Sequence, residues 1–259
     1  MKRITWITFS LSIAACSSSS TTPPTSADYD DAAQTVAAST ATQSGTSVGA
    51  GEVIAMADSV SIALGRLPLG FLRLADGRIH GSRMGVDHSF TVTCKDAAGA
   101  TLAACDRTTD SATVEVKFSG DLTTPNLTAS VDREGTWTIT GLQSATATLD
   151  GDSSFSLDTT LTSIFHQGVT SSFTLDATAS FDAITIATMD RHVTGGSASF
   201  ELKAHRTVTG TAMGAHDVDK SFDIHAELTF NGDQTATLVL DGTHTFTIDL
   251  KTGRVSRAS

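Results

Sequence analysis

The chain has 259 residues, 28 of them acidic and 17 basic, for a formal charge of −11. That acidity, with no basic cluster, opposes binding to nucleic acid or to an anionic bilayer surface, since both need positive side chains against phosphate. The length suits one large all-β domain or two small ones, with room for a substantial core.

The N-terminus opens with Lys2 and Arg3, continues as an apolar run from Ile4 to Ala15, and reaches Cys16 followed by four serines. A charged start, a short apolar stretch and small residues before a cut site make a secretory signal, and this stretch is too short to cross a bilayer alone. Ile13, Ala14, Ala15 and Cys16 resemble the lipobox of bacterial lipoproteins; the resemblance covers residues 1–16 only. It implies cleavage before Cys16, a diacylglyceryl group and usually a third acyl chain on that cysteine, and an outer-membrane or cell-surface address, because Ser17 is not the aspartate that retains such proteins in the inner membrane. Two or more acyl chains hold a protein firmly where one does not. Residues 1–15 are thus the expected signal peptide. Residues 16–27, rich in Ser, Thr and Pro, are the expected acylated tether, spanning at most about 35 Å when extended.

Cys94 and Cys105 are the other two cysteines. In an exported chain they are expected to form a disulfide across a short turn with Gly99 near its tip. Two cysteines without a second pair make a poor metal site.

Residues 28–87 read as a cover of helices and loop. A weak helix is expected over 28–41, with Asp28, Asp30 and Asp31 at its positive end. A better one follows, where Val53, Met56, Val60 and Leu64 recur at three and four residues between Glu52 and Gly65. Pro68 and Gly70 break that pattern. Phe71 to Gly85 has no clear period and reads as a loop. With Arg66, Arg73, Arg78 and Arg83 this is the most basic part of the chain, and solvation and salt bridging to the acidic body are expected of it.

From His88 to the end the period is two, so residues 88–259 form an antiparallel β domain. Phe173, Leu175, Ala177, Ala179 and Phe181 share one face, as do Phe222, Ile224, Ala226, Leu228 and Phe230. A phase shift at Ala183 predicts a bulge or a tight turn near Asp182. Asp150-Gly151, Asn231-Gly232 and Asp241-Gly242 predict hairpin turns. Leu149-Asp150-Gly151 before Phe155 returns as Leu240-Asp241-Gly242 before Phe246, so the same local geometry is expected twice. The fold class is therefore all-β: a long meander of eleven to thirteen strands, curved or folded into two layers, with one or two N-terminal helices packed on it. No helix alternates with the strands, which excludes a βαβ sheet and its cofactor sites.

The eight histidines are scattered. His205 and His225 are the best pair, on the polar phase of their strands near Asp223 and Glu227, and they share a metal only if the strands bring them close. No Gly-x-Ser-x-Gly elbow, phosphate loop or EF-hand loop occurs. The chain thus offers no catalytic residue, metal site or cofactor, and reads as an envelope-anchored structural or interaction module meeting a protein or glycan. A carrier of an apolar ligand such as a lipid is the alternative, and a hydrolase or metal-dependent enzyme ranks last. Ala129, Ala177, Ala179, Ala204, Ala226 and Ala236 on the inner face favour the first reading, because small side chains let a helix or second sheet approach where a carrier needs empty volume.

Overall fold

The computed structural model describes residues 22–41, 43–44, 47–48, 51–83, 85–124, 126–164, 170–208 and 218–258. The expected signal peptide, Cys16, Phe165, His166, His216 and Asp217 lie outside them. Two helices, α1 (Ser26–Thr40) and α2 (Glu52–Ala63), precede the sheet, and the two-residue strands β1 (Gln43–Ser44) and β2 (Ser47–Val48) pair between them. Twelve strands follow: β3 (Phe71–Arg73), β4 (Ile79–Arg83), β5 (Val86–Lys95), β6 (Ser111–Thr124), β7 (Leu127–Thr140), β8 (Thr146–Thr162), β9 (Thr170–Ala187), β10 (Val193–Val208), β11 (Val218–Phe230), β12 (Thr235–Leu240), β13 (His244–Asp249) and β14 (Val255–Arg257). Each pairs antiparallel with its neighbour in sequence, so the sheet is a pure meander with β3 and β14 as its edges.

Alternation sets the faces. From Thr170 to Phe181 every second side chain is buried and every other one exposed, and the buried set continues across the sheet from Phe90 through Trp137 and Leu175 to Ile248. The phase shift predicted near Asp182 is a bulge: Leu149 pairs with Ile184 but Gly151 with Phe181, so β9 carries one extra residue. Ala183 takes φ 49°, and the Asp150 carboxylate accepts its N–H at 2.8 Å.

Three expectations are corrected. The stretch from Phe71 to Gly85 is not a loop but the β3–β4 hairpin and its turn into β5, so the sheet begins at residue 71 instead of 88; strands of three and five residues are too short to show a period. From Val86 onward there are ten strands and not eleven to thirteen, because β8 and β9 run for 17 and 18 residues, each absorbing what reads as two shorter strands. Asp150-Gly151 is not a turn. It lies within β8, where Gly151 takes φ 151° and a Cβ would meet the Thr136 carbonyl oxygen at 2.2 Å. Only a glycine lets the two backbones and the Trp137 indole come this close. Asp241-Gly242 does turn, both residues having positive φ, so the two Leu-Asp-Gly copies adopt different geometries.

Both helices are buried on nearly all sides. α1 reaches Thr162, the last residue of β8, through Gln34, Ser171 of β9 and Arg206 of β10 through Asp31, and Arg257 of β14 through Asp30. α2 reaches Arg83 of β4 through Asp58, Arg133 of β7 through Glu52, and Arg191 of the β9–β10 hairpin through Ser61. A single sheet that touches a helix pair from so many strands must curl around it. The helices fill the trough of this open, curled sheet.

Candidate functional site

Cys94 ends the buried row of β5, and Cys105 lies in the β5–β6 connection; their Cα atoms are 5.4 Å apart with the sulfurs at bonding distance. The pair sits under the C-terminus of α2. The Ala63 carbonyl is 3.7 Å from Cys94 Sγ, and Gly65, at φ 77°, rests against the backbone of Cys105 and Asp106 with no room for a Cβ. Its part is structural: it seats the end of a helix.

His205 and His225 lie on adjacent strands, as their separation by one hairpin requires, but the register keeps them apart. His205 pairs with Ser221 and His225 with Glu201, four positions along the ladder. Each has its own acid: His205 Nε2 is 2.7 Å from Asp219, while His225 Nδ1 is 2.8 Å from Glu201 and Nε2 is 3.5 Å from Glu227. Among the described residues no cluster of three His, Cys, Asp or Glu side chains is arranged to hold a metal ion. Glu201, as hydrogen-bond acceptor first and as charge second, raises the His225 pKa against the opposing effect of desolvation.

His88 is a different case. Its ring is fully buried among Phe71, Phe90 and Phe118, and Nδ1–H donates to the Val86 carbonyl at 3.0 Å. Burial pulls its pKa down to about 4, so it is a neutral core residue at ordinary pH.

Sequence reasoning missed the ionic groups inside the trough. Arg133 and Arg206 occupy inward positions, as the alternation of Arg133 with Trp137 and of Arg206 with Ala204 shows on inspection, yet both are charged. Arg133 pairs with Glu52, donates to Ser153 Oγ at 2.8 Å and lies 5.0 Å over the Phe155 ring. Arg206 bridges Asp28 and Asp31, and Lys220 also meets Asp28. These pairs dock the two helices onto the sheet.

The other face of the sheet is polar and carries an open groove of about 820 Å³ across β6 to β10. A second, of about 650 Å³, adjoins it and shares Glu134, Ser154, Thr178 and Glu201. The register explains the lining. Lys117, Glu134, Ser154, Thr178, Glu201 and His225 stand opposite one another in one row over six strands. A parallel row runs Glu115, Thr136, Asp152, Ser180, Ser199 and Glu227. Neighbouring strands lie about 4.8 Å apart, so each row is a regular ladder of carboxylates and hydroxyls. Lys117 pairs with Glu134 at 3.3 Å at one end and His225 with Glu201 at the other. Between them Ser154 and Thr178 offer groups that both donate and accept hydrogen bonds.

The fold and the groove define an all-β protein with a curled meander sheet, two helices in its trough and a polar ladder on its outer face. No protein-family model, curated protein or solved structure matches this chain.

Proposed function

We propose that this is an envelope lipoprotein, anchored through acylated Cys16, that works by binding and not by catalysis, its polar sheet face engaging an envelope protein or glycan. The observation that carries the reading is the pair of aligned rows, Lys117 to His225 and Glu115 to Glu227, on a sheet held rigid by eleven consecutive pairings. Hydroxyls and carboxylates at strand spacing suit a polyhydroxylated chain or a polar protein surface. A nucleophile with an adjacent oriented base is not among the groups in the groove. The carrier alternative is less favoured because α1 and α2 occupy the space an apolar ligand would take.

The test is purification from native membranes under gentle conditions, followed by identification of bound protein and glycan. Glu134→Lys combined with Glu201→Lys should abolish that association with only a small fall in melting temperature from the like charges it sets across the ladder. Stoichiometric lipid inside the soluble body would replace this reading with the carrier. A hydrolytic activity lost on a single His or Asp substitution would overturn both.

A further inference from the structure

Four of the five large exposed apolar side chains among the described residues, all but Ile164, gather where α2 leads into the sheet. Leu67, Leu69 and Leu72 are exposed, Leu69 at 95%, and Met189 at the tip of the β9–β10 hairpin is exposed at 84%. Leu69 sits at the apex of a turn closed by the Phe71 N–H donating to the Pro68 carbonyl at 3.1 Å, with Gly70 at φ 85°. Turn apices ordinarily carry polar residues that water solvates. The two tips are neighbours: Leu69, Asp190 and Arg191 line one cleft with Ile54 and Ala57 of α2.

Charge frames the leucines. Arg66 and Arg73 flank the segment, are exposed, and form no ion pair among the described residues, whereas Arg78 is paired with Asp76 and Arg83 with Asp58. Asp58 and Asp190 line the same cleft as Leu69 and Asp76 lies in the next turn, each of the three beside an arginine, Arg83, Arg191 and Arg78, while Asp106, against Gly65, is followed by Arg107. The surface here is cationic and apolar on a protein whose total charge is strongly negative. The whole-chain argument against an anionic bilayer therefore does not hold locally, because screening confines each surface charge to about 10 Å.

We propose that the Leu67–Leu72 turn and the Met189 tip dock on an anionic phospholipid bilayer, the leucines and methionine entering the acyl region and Arg66 and Arg73 meeting lipid phosphates. Single protruding side chains on two turns suit hydrocarbon, which needs no complementary shape, and flanking arginines can reach headgroups while their stems stay apolar. The site is independent of any lipid on Cys16. Thr22, at the N-terminal side of the described chain, bonds to Ser221, which faces His205 on β10. From Val193, where β10 leaves the Met189 hairpin, to His205 is about 40 Å of strand.

The test uses the full chain with Cys16→Ser and Trp6→Phe, removing the acyl acceptor and the signal-segment indole. Leu69→Trp is added as a reporter, and vesicles contain equal parts phosphatidylcholine and phosphatidylglycerol, with brominated acyl chains as quencher. Emission from residue 69 should be quenched on these vesicles and much less on pure phosphatidylcholine. In the same background without the reporter, Leu69→Asp with Met189→Asp should weaken vesicle binding about tenfold or more while leaving the far-UV spectrum unchanged. Unquenched emission overturns the proposal, whether the chain is then free, held by its signal segment or bound to an acidic protein. So does quenching that is equal on neutral vesicles together with unchanged binding of the double variant.

Discussion

Glu52, the first residue of α2, forms a buried ion pair with Arg133 of β7, and the two side chains have almost no contact with solvent. Arg133 also donates to Ser153 and lies over Phe155. Burial alone would favour a neutral guanidine and pulls the Arg133 pKa down to about 9; the facing carboxylate supplies the compensating charge. Removing one partner leaves the other buried and unpaired, which costs about 3–5 kcal/mol. Arg133→Met and Glu52→Gln should each show a loss of that order in urea titration, and the double variant should recover most of it.

Cys94 and Cys105 should yield no alkylatable thiol in the exported protein, read by non-reducing peptide mapping. The closed loop is short, with a sequence separation of 11. Cys94→Ala with Cys105→Ala should therefore cost about 2–3 kcal/mol on the chain-entropy estimate. The C-terminal end of α2 and the β5–β6 connection should lose hydrogen-exchange protection first, while β8 to β10 keep theirs.

His225 titrates above its ordinary value because Glu201 accepts its hydrogen bond, with Glu227 adding to the effect. A folded pKa above the unfolded one contributes stability that is fully present below the unfolded value of about 6.5 and disappears as pH rises through the folded value. The ring is half exposed, so the effect on stability is small and salt-screened. An NMR titration should place the His225 midpoint above that of a free histidine, and Glu201→Gln should bring it down.

Leu228 faces Ala198 on one side and Leu238 on the other, in the fourth strand counting from the β14 edge of the sheet. Leu228→Asp puts a carboxylate among these side chains with no cation to meet it. The cost exceeds about 4 kcal/mol and should prevent accumulation of folded protein, whereas Thr229→Asp on the exposed face should be tolerated.

Acylation of Cys16 is expected from the lipobox. Mass spectrometry of the membrane fraction should find a mature chain beginning at modified Cys16, and Cys16→Ser should abolish the modification and leave the precursor uncut. An unmodified chain still beginning at Met1 in the wild type would count against the lipoprotein reading.

Alternation made most of the sheet legible in advance. Every second residue of β9 and β11 has the expected burial, and the bulge at Ala183 follows from a single slip in phase. What alternation cannot report is where a strand ends when its neighbours continue. Asp150-Gly151 has the composition of a turn, yet tertiary packing of Trp137 against Gly151 carries β8 through it. The β3–β4 hairpin was hidden by its brevity. The trough interior was only half legible: α2 showed itself by its stripe, but the polar side chains of α1, Asp28, Asp30 and Asp31, are buried and so do not mark a solvent face. The clue to their depth was charge in the wrong phase, with Arg133 and Arg206 pointing inward to meet Glu52, Asp28 and Asp31. The polar ladders needed the register itself, since Lys117 and His225 are far apart in sequence and come into one row only through five successive pairings.

The contacts of α1 have a mechanical consequence. If Cys16 is fixed in a membrane, any pull on the domain enters through Thr22, bonded to Ser221 of β11, and then through α1. Asp28 passes that load to Arg206 of β10 and Lys220 of β11, and Asp30 passes it to Arg257 of β14. The force is therefore divided among ion pairs to several strands, instead of peeling a single edge strand one hydrogen bond at a time.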